Sequence, residues 1–316
     1  MNKEYTLSRM KIAGWSNTNF SYSDVVIPVT VETIIATIKT AKLDKKAVLA
    51  RGAGKSYGDE ALNDGHVVID MCKMNRIISW NKLDGLLIIE AGATYNDVLI
   101  HCLKDNWTPA VIPGTRYVTM GGALANNVHG KNSYVNGNFG EWVREFKIVL
   151  ASEEIITCSR EENSEIFFAA IGGAGLLGIV TEMTLQLIIV PSPYLSIKNS
   201  TASNLNEVMD GLDNASKNDS YAIAQIDCFT DKNILGRGTI HAGSFISDTK
   251  KNGGVEEMRD VSDMMFLVFP KKLIPVFGKY FLNDFTMRWI SRIKYYLDRN
   301  IGPKKPFNQN IFQFTF

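Results

Sequence analysis

Residues 51–58 read Arg51-Gly52-Ala53-Gly54-Lys55-Ser56-Tyr57-Gly58 and follow directly on an aliphatic run at 47–50 with the character of a short strand. A glycine-rich loop leaving a strand exposes main-chain N–H groups with few Cβ atoms in the way, so these groups can converge on an anion. The two common nucleotide loops fail against it. Gly54-Lys55-Ser56 matches the end of a Walker A loop, but the first glycine of that motif would stand at 49, where the chain has Leu49. In the Rossmann pattern the third glycine would fall on Tyr57, and no helical periodicity follows.

Similar loops recur at Pro113-Gly114-Thr115, Gly121-Gly122-Ala123 and His129-Gly130-Lys131-Asn132. Any one of them reads as an ordinary turn as readily as a ligand loop. Together with 51–58 they point to a main-chain nest for a pyrophosphate. A further stretch, Gly173-Ala174-Gly175-Leu176-Leu177-Gly178, matches G-x-G-x-x-G letter by letter. Its context is reversed, with a helix-like 165–170 before it and a strong strand after it, so it is not a Rossmann fingerprint.

The surrounding pattern is α+β. The 316 residues are 45% hydrophobic and 21% charged, which supports a large core, most simply in two domains, and excludes wholesale disorder. Helical spacing appears at 31–41 and at 96–104, the second with Thr94 placed as an N-cap. Strands are expected at 47–50, 67–70, 86–90, 146–150, 155–158 and 179–189. In the last, Ile179, Thr181, Met183, Leu185, Leu187 and Ile189 share one face, and Glu182, Thr184 and Gln186 the other.

Pro191 and Pro193 then interrupt the ladder and set the expected boundary, giving domains 1–191 and 192–316. The second begins with a helix at 205–212 and strands at 221–229 and 238–242, followed by a polar linker at 248–254. At 310–316, Ile311, Gln313 and Thr315 alternate with Phe312, Phe314 and Phe316, which predicts a strand in progress and a substrate domain truncated at the C-terminus.

Net charge is +1, which gives no reason to expect a nucleic-acid partner. The distribution is uneven: 266–316 carries net +7 and the preceding chain −6. Within 271–305, Phe277, Tyr280, Phe281, Trp289, Tyr295 and Tyr296 interleave with cations. That pattern suits peripheral docking on an anionic membrane or around a polyprenyl-phosphate tail. The favoured reading is a helix pair with core aromatics and solvated lysines. Cys72, Cys102, Cys158 and Cys228 form no CxxC pair, so they suggest buried reduced thiols rather than a metal site or a disulfide framework. No apolar run reaches the length of a membrane span and no signal peptide is evident, so a cytoplasmic location is expected.

The loops at 51–58, 113–115, 121–123 and 129–132 resemble those of the FAD-binding domain of the vanillyl-alcohol-oxidase type, also called PCMH-type, which is built of two α/β subdomains. Within it the sequence resembles the decaprenylphosphoryl-β-D-ribose 2′-oxidase family of FAD-linked enzymes, from Gly14 to Gly236 and Arg237. The His129-Gly130-Lys131-Asn132 run, with Gly137 to Gly140 after it, is the most specific element. The resemblance implies that Ala50, Arg51, Gly52, Ala53, Gly54, Lys55, Ser56, Tyr57, Gly58, Asp59 and Glu60 wrap the FAD pyrophosphate. It continues the contact through Gly114, Thr119, Met120, Gly121, Gly122, Asn126, Asn127, Val128 and His129, and through the backbone of Val180. Arg51 or Lys55 would offset diphosphate charge, or both are solvated surface residues. Many relatives attach flavin covalently through a histidine in the first loop; Lys55 stands there, which implies non-covalent FAD.

The same resemblance implies oxidation of a secondary sugar hydroxyl, C2′ of decaprenylphosphoryl-ribose or a similar polyprenyl-phosphate sugar, with hydride passing to flavin. A separate NAD(P)H-dependent reductase would complete an epimerisation. His129, Lys131 and Tyr57 are the candidates on the substrate side; Lys131 reads otherwise as a solvated lysine. His66, His101 and His241 carry no comparable context. The family takes a further lysine and an aromatic residue from a segment after the second domain, so the active site is expected to be incomplete at Phe316. An aldonolactone oxidase of the gulonolactone type and a truncated, non-catalytic flavin-binding protein remain the alternatives.

Overall fold

A computed structural model describes residues 8–229, 234–247, 283–303 and 305–316, with the backbone of 264–265 and 269–270. The chain forms two units, Met1–Ile189 and Val190–Phe316. In the first, β1 (Ser8–Ala13), β2 (Phe20–Val26), β3 (Val48–Arg51) and β4 (Val67–Asp70) make one sheet in the order β1-β2-β4-β3. The β1–β2 pair is antiparallel, and β4 runs parallel to both β2 and β3. Helix α1 (Val31–Leu43) is the crossover between β2 and β3, capped by the Thr30 hydroxyl, which accepts from the Thr33 N–H. It buries Ile34, Ile38 and Ala41 against Val67 and Ile69.

The second sheet is antiparallel, in the order β5 (Ile77–Asn81), β6 (Leu86–Glu90), β10 (Gly178–Ile189), β8 (Val143–Leu150), β9 (Ile155–Ser159), and β7 (Trp107–Pro109) pairs with the far end of β10. The expected alternation holds from Ile179 to Leu187, all buried on one face; Ile189, at the strand's end, is 67% exposed. Against this sheet pack α2 (Tyr95–Cys102), α3 (Met120–Ala125) and α5 (Ser164–Ala170). The short α4 (Ser133–Asn136) follows α3. Thr94 is the N-cap of α2, as expected, and closes a capping box: its hydroxyl accepts from Asp97 N–H and the Asp97 carboxylate from Thr94 N–H. Phe146 and Phe167 stack at 5.4 Å in the core.

The second unit holds an antiparallel sheet of β11 (Tyr194–Ala202), β12 (Tyr221–Ile226), β13 (Gly238–Phe245) and β16 (Phe307–Asn310), in the order β12-β13-β11-β16. Helix α6 (Leu205–Asn218) packs Val208 against Ala202 and Ile240. The backbone pair β14 (Met264–Met265) and β15 (Phe269–Pro270) and the helices α7 (Asp284–Asn300) and α8 (Ile311–Thr315) complete the described elements.

Three expectations are corrected. The 310–316 stretch is not a strand: after β16 the chain turns into α8, because Asn310 and Gln313 form a capping box. Ile311, Phe314 and Thr315, at helical spacing, are buried together, and the Thr315 hydroxyl donates to the Ile311 carbonyl. Of the aromatics expected in the core at 271–305, Trp289 and Tyr296 are 54% and 62% exposed and Tyr295 is half-buried, while Phe277, Tyr280 and Phe281 lie outside the described residues, as does all of 248–254. Among the cysteines, Cys102 and Cys158 are buried, but Cys228 is exposed. No helix among the described residues is long and apolar enough to cross a membrane.

Candidate functional site

The first loop leaves β3 at Arg51, whose side chain is committed to the loop's own architecture. Its guanidinium donates to the Ala13 carbonyl at 3.0 Å and to the Ala61 carbonyl at 3.2 Å, tying the end of β1 and the far side of the loop to the start of the turn. Gly54 has φ +60°, and a side chain there would run into that guanidinium. Gly52 abuts the Thr119 hydroxyl so closely that a Cβ would displace it. On the outer side, Trp15 N–H donates to the Ser56 carbonyl at 3.0 Å, and the Trp15 and Tyr57 rings meet edge to face at 5.4 Å.

These contacts use carbonyls and side chains and leave the donors alone. The backbone N–H groups of 52–58 have no acceptor among the described residues. A run of unpartnered main-chain donors along a cavity wall is the chemistry a diphosphate needs. The cavity is about 340 Å³ and is lined by Ala50 to Tyr57, Glu60, Val118, Thr119, Gly121, Gly122, Asn126, Val128 and Val180, among others. A neighbouring cavity of about 300 Å³ shares Ala50, Gly175 and Gly178 with it.

The α3 segment contributes small side chains rather than donors. Thr119 is its N-cap, accepting from Gly122 N–H at 3.2 Å, while Met120 and Gly121 donate at 2.7 Å to the Ala93 and Ala91 carbonyls. Met120 is fully buried in the core and faces away from the cavity. Gly58, Asp59, Gly114, Asn127, His129 and Lys131 also stand off its lining. Asn127, at φ +40°, accepts from Gly140 N–H at 3.0 Å and so fixes the turn through which the chain leaves the cavity at Val128.

The His-Gly-Lys-Asn run divides its labour. A side chain on Gly130 would clash with the Ile112 backbone, and buried Asn132 donates to the Ala110 carbonyl at 2.6 Å. The Asn132 side-chain oxygen has no hydrogen-bond partner among the described residues. Between these anchors His129 is exposed, whereas Lys131 is half-buried. Desolvation holds the Lys131 ammonium down to about 8, which makes a neutral amine accessible near physiological pH.

Sequence reasoning missed part of the wall. Ala174, Gly175 and Gly178 line the cavity from the loop set aside as a failed Rossmann motif, and Ala61, Met71, Ala91 and Ala125 complete the apolar surface. That loop is bound to α3: Gly172 and Ala174 N–H donate to the Leu124 and Ala125 carbonyls at 3.0 and 2.8 Å. Ala174 at φ +53° and Gly175 at φ +73° give it the turn. The signal lay in the glycines; the assumption that only a strand-to-helix order serves a nucleotide hid it.

A main-chain nest beside an apolar, glycine- and alanine-lined cavity suits a dinucleotide cofactor. Residues 23–159 match the FAD binding domain family. The chain is 30% identical to decaprenylphosphoryl-beta-D-ribose oxidase of Mycolicibacterium smegmatis over 98% of this chain and 67% of that protein. It is 28% identical to D-lactate dehydrogenase of Anaerostipes hadrus over 62% of this chain and 42% of the relative. To L-gulonolactone oxidase of Bos taurus it is 28% identical over 67% and 47%. The chain therefore belongs to the FAD-dependent oxidoreductases with a PCMH-type FAD-binding domain, and its cofactor is FAD. It spans about two thirds of the length of the first of these relatives and less than half of the other two.

Proposed function

We propose that the protein oxidises a secondary hydroxyl of a sugar, with C2′ of a polyprenylphosphoryl pentose as the preferred substrate class. One observation carries this reading: the likeness to decaprenylphosphoryl-beta-D-ribose oxidase runs over 98% of the chain, whereas the two other alignments cover 62% and 67%. The likeness therefore extends through the second unit.

FAD supplies the hydride acceptor. The backbone of 52–57 would hold the diphosphate, Gly52, Gly121 and Gly122 let the wall pack closely against Thr119 and Ala91, and Val180 borders the same cavity. Lys131, neutral for an appreciable fraction of the time at pH near 8, accepts the hydroxyl proton; His129 orients the sugar, and Tyr57 lies at the cavity's edge. Lys55 takes the place of the flavin-linking histidine of relatives, so the cofactor is held without a covalent bond. The oxidised sugar is a ketone, and a separate NAD(P)H-dependent reductase consumes it.

The test is anaerobic bleaching of the flavin band in FAD-loaded protein. A polyprenylphosphoryl riboside should bleach it at substrate concentrations that leave it untouched by L-gulono-1,4-lactone and D-lactate. Bleaching by the lactone alone would move the assignment to the aldonolactone oxidases. Bleaching by none of the three would contradict the reading.

A further inference from the structure

Helix α7 is mounted with its polar side inward. Met287, Ser291, Lys294, Tyr295 and Asp298 share one face at helical spacing and are the half-buried positions of its central turns. Asp298 accepts from the Thr239 hydroxyl at 2.7 Å and pairs with Lys294, and the Arg237 guanidinium lies 4.8 Å from the centre of the Tyr295 ring. These contacts join α7 to the β13 region of the same unit.

The opposite face carries Phe285, Trp289, Ile290, Ile293, Tyr296 and Leu297, between 37% and 71% exposed. On a helical projection at 100° per residue they span one arc, shared only with Thr286 in the first turn and Asn300 at the end. Three arginines, Arg288, Arg292 and Arg299, stand side by side along one border of that arc and are all exposed. Of the helix's acids, Asp298 is turned inward and Asp284 lies at the N-terminus away from the stripe. A globular-protein helix ordinarily buries its apolar stripe. Here the stripe faces outward with cations on its rim, in the part of the chain that carries net +7.

We propose that this face of α7 docks on an anionic lipid bilayer. Aromatic and aliphatic side chains on one arc with arginines at its edge match the interfacial region of such a membrane: the rings and Ile293 enter the headgroup boundary and the guanidinium groups pair with lipid phosphates. The charge complementarity selects a negatively charged surface over a neutral one. The docking is a property of the second unit and does not depend on which hydroxyl is oxidised.

The experiment is flotation of the full chain with phosphatidylcholine vesicles, with and without phosphatidylglycerol. Binding should appear with the anionic lipid and fall about 5-fold for each Arg→Gln change at Arg288 or Arg292. It should fall at least about 10-fold for Ile293→Asp, because a carboxylate replaces an inserted aliphatic group. Leu83→Asp, at an exposed apolar position in the first unit, should leave binding unchanged. The arginine variants keep the apolar arc intact and decide the matter if Ile293→Asp fails to fold by circular dichroism. Absence of binding to the anionic vesicles overturns the proposal, as does binding indifferent to Ile293→Asp or to the arginine changes. A dimer in light scattering that Ile293→Asp dissociates would assign the face to a second copy and overturn it as well.

Discussion

The guanidinium of Arg51 occupies the space into which a side chain on Gly54 would project, and from there it holds the carbonyls of Ala13 and Ala61. The two residues are therefore one device: the glycine turns the loop at φ +60°, and the arginine locks the turn, while the N–H groups of 52–57 along the cavity wall have no acceptor among the described residues. Gly54→Ala adds left-handed strain and displaces the guanidinium, for an expected loss of about 1–3 kcal/mol in stability. FAD affinity should fall by about 10-fold or more, read by titration of flavin fluorescence.

Arg51 is placed to shape the nest. Arg51→Ala should lower the chemical-denaturation stability by about 2–4 kcal/mol even without FAD, since two part-buried carbonyls lose a charged donor. A residue acting only on phosphate would leave the cofactor-free protein unchanged. Arg51→Lys should recover little, because an ammonium cannot span both acceptors as a planar fork does.

Lys131 gives a pH signature. Its folded value is about 8 against an ordinary 10.5, so between those limits the unfolded chain binds the proton that the native chain has released. Stability therefore gains a contribution as pH rises through about 8 toward 10.5, and the penalty for burying the ammonium is fully present below that window. The difference in urea midpoint between wild type and Lys131→Met should narrow as pH rises from 7 to 10. Turnover should climb along a limb with a midpoint near 8 in the wild type, and Lys131→Met should be nearly inactive.

His129 is exposed, off the cavity lining, and beside the anchored Gly130. His129→Ala should change thermal stability by no more than about 0.5 kcal/mol and leave FAD retention intact. Steady-state turnover should drop on the order of 100-fold. Wild-type activity in the variant would remove His129 from the mechanism.

Much of the scaffold was legible because its signals are local. The strict alternation from Ile179 to Leu187 specifies a one-sided strand, and Thr94 with Asp97 specifies a helix start, whatever the rest of the chain does. At Asn310 two local signals compete: alternating phenylalanines suit a strand, yet the Asn310–Gln313 capping box starts a helix that buries Ile311, Phe312 and Phe314. The amphipathic pattern of α7 was visible, but its polarity was not. Which side of such a helix faces inward depends on Thr239 and Arg237, far away in sequence. At the site, the loop at 51–58 could be read from its glycines, whereas the contribution of Ala174 and Gly175 comes from a fold that reverses the familiar strand-to-helix order.

The most direct test of the account is the visible spectrum of the purified, FAD-incubated chain, taken before and after acid precipitation. The account predicts a flavin band at about one FAD per chain that passes entirely into the supernatant, and a much weaker band in Gly54→Ala. A chain that takes up no FAD, or a band that stays with the pellet, would contradict it.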